Sequence, residues 1–420
     1  MKGYNKYLII LLYHIQKELI NRLIMQEGFF TRKETESSTI VKGKPLTCIG
    51  CGLYKDCNTP KMGPEGNFKK EILNIGTMPS KTDDKVGKLF QGNLGKILQR
   101  AYKKIGIDLY EDCLNITALN CYTEDDPTNY QLDCCRSRIL KVIEENKPKA
   151  IVLHGMPAVY SVLGDRWKKD IGSITKWRGW MIPDQDLNAW LFPLFDLEFV
   201  EQRRDGGEET TWGNDFRRIS IPPFPKYKEP KIDIIEDLSI LDTIKDKFAF
   251  DYETTGLKPH AEGHRIVCCA VADRENHAYV FMMPKTKREL EPLVNLLQNK
   301  KIGKIAQNMK FEHTWSKVRL RTQVENWLWD TMLATHVIDN RPGVTGLKFQ
   351  TYVQFGVIDY SSEVESYLKA TNDSSNAINK IMELVEIPHG KEKLMKYCAL
   401  DAVFELRLAN LQMNDICLPF

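Results

Sequence analysis

The chain has 420 residues, with 59 Lys and Arg against 56 Asp and Glu and a net charge of only +3. That length is long for one core and suits two domains of about 180 residues each. A charge so near balance does not by itself predict a nucleic-acid partner, an odd total of eleven cysteines argues against a disulfide framework, and no internal repeat or low-complexity tract is evident.

Residues 1–40 read as an N-terminal extension. The apolar run Tyr7-Leu8-Ile9-Ile10-Leu11-Leu12-Tyr13 is broken by His14 and followed by Gln16-Lys17-Glu18, too short to span a bilayer. No small-residue cleavage site follows it. The pattern predicts an amphipathic helix, or upstream sequence if translation begins at Met25, in a cytoplasmic protein with no membrane partner.

Cys48, Cys51, Cys57, Cys113, Cys121, Cys134 and Cys135 lie within 90 residues, and four more cysteines are spread over the remainder. Clustered thiols of this kind suit a metal. Cys48-Ile49-Gly50-Cys51 sets two thiolates on one tight turn, a spacing used by zinc and iron-sulfur sites alike. A thioredoxin-type pair would follow a strand, and nothing ahead of Cys48 reads as one. Glu71-Ile72-Leu73-Asn74-Ile75-Gly76 then predicts a strand entering the turn Thr77-Met78-Pro79-Ser80, and Gly87 to Leu98 a glycine-rich loop running into a helix. Lys149 to Gly155 predicts a second buried strand. Repeated proline in Ile221-Pro222-Pro223-Phe224-Pro225 through Pro230 forbids helix and marks the seam between domains.

Beyond the seam, Phe248-Ala249-Phe250 predicts a strand, so Asp251 and Glu253 at i and i+2 project from one face at its end. Leu394 to Leu408 reads as a buried helix on which Tyr397 and Asp401, at i and i+4, share a face. Asp330 before Thr331-Met332-Leu333 reads as a helix N-cap. Two carboxylates, a phenol and a third carboxylate make a kit for phosphodiester hydrolysis. Two divalent ions about 4 Å apart ionise water, neutralise the phosphate and stabilise the departing oxygen, and oxygen ligands suit Mg²⁺ or Mn²⁺.

From about residue 230 onward the chain resembles the 3′-to-5′ proofreading exonuclease domain of family A (polymerase I type) DNA polymerases. Phe250-Asp251-Tyr252-Glu253-Thr254-Thr255-Gly256-Leu257 is similar to its first motif, Gln307-Asn308-Met309-Lys310-Phe311-Glu312 to its second, and Tyr397-Cys398-Ala399-Leu400-Asp401-Ala402 to its third. The second motif ends in aspartate in the family; Glu312 keeps the charge and adds a methylene. The resemblance implies a ribonuclease-H-like fold in which Asp251, Glu253, Glu312 and Asp401 hold two Mg²⁺ or Mn²⁺ and Tyr397 positions the water. It also implies that Asn308, Phe311, Thr255 and Leu257 contact the substrate strand.

Residues 44 to 220 or so resemble the iron-sulfur uracil-DNA glycosylases of families 4 and 5. The resemblance implies a [4Fe-4S] cluster on Cys48, Cys51, Cys121 and Cys135, with Cys134 as the alternative fourth ligand, and Phe90 stacked on a flipped base. The sequence departs from the family where the chemistry lies. Thr77 stands where the first motif carries an acidic residue, Thr117 where an asparagine reads uracil, and Asp196 in Pro193-Leu194-Phe195-Asp196-Leu197 where a histidine is usual. A DNA-binding module with impaired excision is therefore implied.

The expected architecture is α/β in two domains. An N-terminal extension (1–40) precedes a glycosylase-like three-layer α/β/α iron-sulfur domain (41–220), a proline-rich linker (221–232) and a ribonuclease-H-like exonuclease domain (233–420). The order resembles the front half of certain bacteriophage DNA polymerases, and only 19 residues follow Asp401, so a stand-alone, split or truncated proofreading piece is expected. Its partners would be single-stranded 3′ ends of DNA and a separate polymerase. The alternatives are an active uracil-excision and trimming enzyme, and a non-enzymatic accessory subunit of a split phage polymerase.

Overall fold

The computed structural model describes residues 46–203, 206–370, 372, 374 and 376–416. The expected N-terminal amphipathic helix lies outside the described residues. Two sheets organise the rest. The first contains β1 (Ile72–Gly76), β2 (Cys113–Thr117), β3 (Ala150–His154), β4 (Ile182–Asp184) and β5 (Ala189–Leu194) in the order β2-β1-β3-β5-β4, parallel except for the β4–β5 pair. Every residue of these strands is buried, as a parallel sheet covered on both faces requires.

The second sheet contains β6 (Lys231–Ile234), β7 (Lys247–Thr254), β8 (Ile266–Arg274), β9 (His277–Met282), β10 (Gly303–Ala306) and β11 (Trp327–Asp330), in the order β11-β10-β7-β8-β9-β6. Antiparallel pairing of β7–β8–β9 is flanked by parallel neighbours. Residues 221–230 have no regular secondary structure, in keeping with their prolines. β6 already pairs with β9 from Lys231, two residues before the expected exonuclease boundary.

Five helices matter for the sites. α1 (Cys48–Cys51) is N-capped by Thr47. α2 (Asn129–Asn146) starts with a capping box between Thr128 and Gln131. α3 (Met309–Trp315) follows β10, α4 (Leu347–Phe355) ends at Gly356, and α5 (Gly390–Ile416) packs across β7, β8 and β9.

α4 belongs to two cores. Its Phe349, Tyr352 and Val353, spaced i, i+3, i+4, join Trp167, Trp177, Leu73 and Leu153 in the core of the first sheet. Leu347 instead packs with Leu400, Phe404 and Leu408 of α5. Trp167 and Trp177 meet edge to face at 5.3 Å, and Trp177 meets Phe349 the same way at 5.2 Å. Gly356 has φ +73°, and a Cβ there would lie 1.6 Å from the Pro183 carbonyl oxygen, so only glycine both terminates α4 and lets it approach β4. Arg341 donates to the carbonyls of Thr175 and Arg178 at 2.8 and 2.7 Å, a second tie between the halves.

Candidate functional site

β7 carries Asp251 and Glu253 side by side, and their carboxylates with the Cys398 thiol of α5 fall within 4.8 Å of one another. α3 adds Glu312 from its first turn, starting at Asn308, whose φ is +63°. Asp330 fixes that start. It accepts from the amides of Asn308 and Met309 at 3.2 and 2.9 Å, and also caps the helix Thr331–Ile338 through Met332 and Leu333 at 3.0 and 3.1 Å. One carboxylate thus satisfies orphan amides of two helices, including the cap expected from the sequence. α5 supplies Tyr397, Asp401 and, one turn on, Glu405, and all three line a cleft of about 400 Å³ with Asp251, Asn308, Phe311 and Glu312.

The acids repel one another in poor solvent. Burial and Asp401 push the Asp251 carboxyl up to about 7. Burial, followed by the charge of Asp251, raises Glu253, Glu312 and Glu405 well above the usual carboxylate range. Asp251 Oδ2, Glu312 Oε2 and Glu405 Oε2 are buried without a hydrogen-bond partner. Asp401 is compensated: Lys348 of α4 forms an ion pair with it, and Tyr360 donates its hydroxyl at 2.6 Å. Lys348 also stands 4.0 and 4.1 Å over the rings of Tyr360 and Tyr397. Burial, then Asp401 and Glu253, raise the Tyr397 phenol well above its usual value, so it stays a donor. Unpartnered, mutually repelling oxygens fit hard divalent cations.

Two other expected contacts lie away from this cleft. Thr255 is 2% exposed, accepting at 2.8 Å from the Arg265 amide, while Leu257 is 69% exposed; neither lines the cleft. The strand ends at Thr254 and the chain bends over residues 255–257. Cys398, Glu405, Lys348 and Tyr360 are additions that the motifs did not single out.

Cys48 and Cys51 on α1, Cys121 after β2, and Cys134 and Cys135 on α2 all line one small cavity with Tyr54 and Leu119. Burial pushes the Cys135 thiol up to about 11, reinforced by Cys121, Cys51 and Cys48. Cys134 is raised by burial but is engaged by Tyr130. Buried thiols facing one another in this way fit a thiolate-bound cluster; Cys135 stands near Cys121, Cys51 and Cys48, and Cys134 near Cys51. Cys57 lies against Cys121 and the carbonyls of Leu53 and Tyr122.

At the end of β1 a second cavity, of about 880 Å³, is lined by Thr77, Met78, Phe90, His154 and Asp196 among others. The Thr77 hydroxyl donates to Asp196, whose carboxyl burial raises. His154 is held neutral, its pKa lowered by burial to about 3, and its Nε2 lies 2.7 Å from Asn74 Oδ1. Asn74 in turn bonds Tyr102 and Asn115. Phe90 packs against Gly76, where a Cβ would stand 3.1 Å from its ring.

Residues 231–415 match the family model described as 3′-5′ exonuclease, and residues 64–211 that of the uracil DNA glycosylase superfamily. The chain joins a glycosylase-superfamily domain to a 3′-5′ exonuclease domain of the DNA polymerase A type. The type-4 uracil-DNA glycosylase of Archaeoglobus fulgidus is 27% identical over 181 residues, 42% of this chain and 75% of that one. That of Thermotoga maritima is 29% identical over 201 residues, 47% and 96%. The DNA polymerase of Bacillus phage SP01 is 23% identical over 330 residues, spanning both domains; the match covers 68% of this chain and 34% of the polymerase. Among the described residues no helix is long and apolar enough to cross a membrane.

Proposed function

We propose that the chain is a metal-dependent 3′-5′ DNA exonuclease that releases nucleoside monophosphates from single-stranded 3′ ends. The observation that carries this reading is the convergence of Asp251, Glu253, Glu312 and Asp401 from three elements, with the carboxyls of Asp251, Glu253 and Glu312 raised and an unpartnered oxygen on Asp251 and on Glu312. These four residues would hold two Mg²⁺ or Mn²⁺, which supply charge neutralisation of the phosphate and activation of water. The protonated phenol of Tyr397 donates a hydrogen bond that orients the attacking water. Asn308 and Phe311, at the cleft wall, hold the terminal nucleotide. Asp330 keeps Glu312 in register by fixing the start of α3.

In this reading the domains run as 41–220, a linker to 232, and 233–420, in a cytoplasmic protein. Cys48, Cys51, Cys121 and Cys135 would carry a [4Fe-4S] cluster, a thiolate-bound scaffold joining α1, the loop after β2 and α2. The glycosylase domain binds DNA with little excision chemistry: Thr77 brings no carboxylate and occupies Asp196 by hydrogen bonding. The Asp196 carboxyl in the pocket with Phe90 supports one other reading, in which the domain still removes a base.

The test is degradation of a 3′-mismatched, 5′-labelled primer with an internal uracil, in Mg²⁺ or Mn²⁺. A one-nucleotide ladder absent from Asp251→Ala supports the exonuclease. An alkali-labile break at the uracil supports excision, and no ladder from folded protein would sink the nuclease reading in favour of an accessory subunit that works with a separate polymerase.

A further inference from the structure

The exonuclease cleft has a wall that the exonuclease domain does not supply. Trp167, Lys169 and Lys176, all from the segment between β3 and β4 of the glycosylase domain, line the same cavity as Asp251, Glu312 and Asp401. Trp167 is 5% exposed and packs edge to face on Trp177 and Phe349. Lys176 is held in place. Its ammonium lies 5.0 to 5.5 Å from the ring centroids of Trp167, Trp177 and Phe349, it donates to the Asp170 carbonyl at 3.1 Å, and its stem runs past Gly343. Lys169 sits beside Lys348 and Asp359 at the adjoining hollow. Burial, then the neighbouring Lys348, lowers its pKa.

The cleft carries both signs of charge: Lys348 is paired with Asp401, which leaves Asp251, Glu312 and Glu405 on one hand and Lys169 and Lys176 on the other. The floor is carboxylate, suited to cations, and repels a polyanion on its own. Lys169 and Lys176 add two ammonium groups to the lining of the same cavity, and such groups suit phosphates. A strand whose terminal phosphodiester lies over the carboxylates must run its next phosphates along one side of this cleft. From this we infer that Lys169 and Lys176 of the glycosylase domain bind the phosphates of the single-stranded 3′ end held in the exonuclease cleft, with Trp167 positioning Lys176. The inference rests on the exonuclease reading for the identity of the strand. It makes the nuclease site composite, incomplete without the glycosylase domain.

The experiment measures binding of 5′-fluorescein tetrathymidylate to the full-length protein by anisotropy in Ca²⁺ over a salt series. The K169Q/K176Q double variant is expected to bind about tenfold more weakly, with the log–log salt slope flattened by about 1.4 for two lost phosphate contacts on single strands. K169R/K176R keeps the charge and is expected to keep the affinity. K300Q/K301Q removes two exposed charges that do not line the cleft and is expected to stay within about twofold of the parent. Equal weakening by both glutamine pairs, or none by K169Q/K176Q, overturns the inference, as does a parent protein that does not bind the probe. The primer ladder and its Asp251→Ala control are run in parallel. A ladder with unchanged binding in K169Q/K176Q refutes the wall alone, whereas weakened binding without a ladder refutes the nuclease reading and leaves the wall.

Discussion

The Tyr352 hydroxyl of α4 donates to the buried Asp184 of β4 at 2.6 Å, across the boundary between the two domains. Arg166 reaches the other oxygen of the same carboxylate at 2.7 Å, so Asp184 is an anchor satisfied from both sides. Tyr352→Phe should cost about 1–3 kcal/mol by leaving a buried carboxylate short of one donor, read by urea denaturation. Because α4 also carries Lys348 into the carboxylate cleft, exonuclease activity should fall in the same variant.

Asp251→Ala should lower primer hydrolysis by at least about 100-fold, since loss of a direct ligand ought to exceed the 10–100-fold cost typical of residues that only support ligands. Initial rates in Mn²⁺ check this, with the circular dichroism spectrum as control for folding.

Metal-free protein should lose stability as pH rises. An acid whose folded pKa lies above its unfolded one binds more protons folded than unfolded, so unfolding free energy falls with pH between the two values. For Asp251 that window runs from about 4 unfolded to about 7 folded, and Glu253, Glu312 and Glu405 act in the same direction. Thermal melts in chelator should therefore drop from pH 5 to pH 7, added Mn²⁺ should reverse the drop, and Asp251→Asn should flatten it.

Lys348→Met removes the cation paired with Asp401. Both side chains are largely shielded, 14% and 9% exposed, and breaking a pair of that kind costs about 3–5 kcal/mol. The melting temperature in chelator should fall accordingly, and Mn²⁺ should recover part of the loss by supplying charge at the same carboxylates.

Cys135→Ser should abolish absorbance near 400 nm and lower iron from about four per chain, whereas Cys134→Ser should retain both, because Cys135 stands near Cys121, Cys51 and Cys48 and Cys134 only near Cys51. Stoichiometric zinc without that absorbance would contradict the cluster.

Local periodicity made much of this legible. The strand ahead of Asp251, the face shared by Tyr397 and Asp401, the Asp330 cap and the strand leading into Thr77 all follow from patterns within a dozen residues. Lys348, Tyr360 and Glu405 were not legible, because each reaches the cleft only through the packing of α4 and α5, and a lysine followed by an aromatic carries no local mark of facing a carboxylate. Trp167, Lys169 and Lys176 were further from view, since nothing in a stretch before the proline-rich seam points to a site built after it. Thr255 and Leu257 follow the bend after β7 and do not line the cleft, a placement that nearness to the motif in sequence does not reveal.

α4 gives the molecule an indivisibility that the proline-rich connection conceals. A cut at residues 221–230 would leave Val344, Phe349, Tyr352 and Val353, all buried in the first core, as an oily stripe on the released C-terminal fragment, and such stripes drive self-association. The fragment would precipitate or borrow a surface elsewhere, so recombination that transplants this nuclease into another protein must carry a replacement for the lost face along with it.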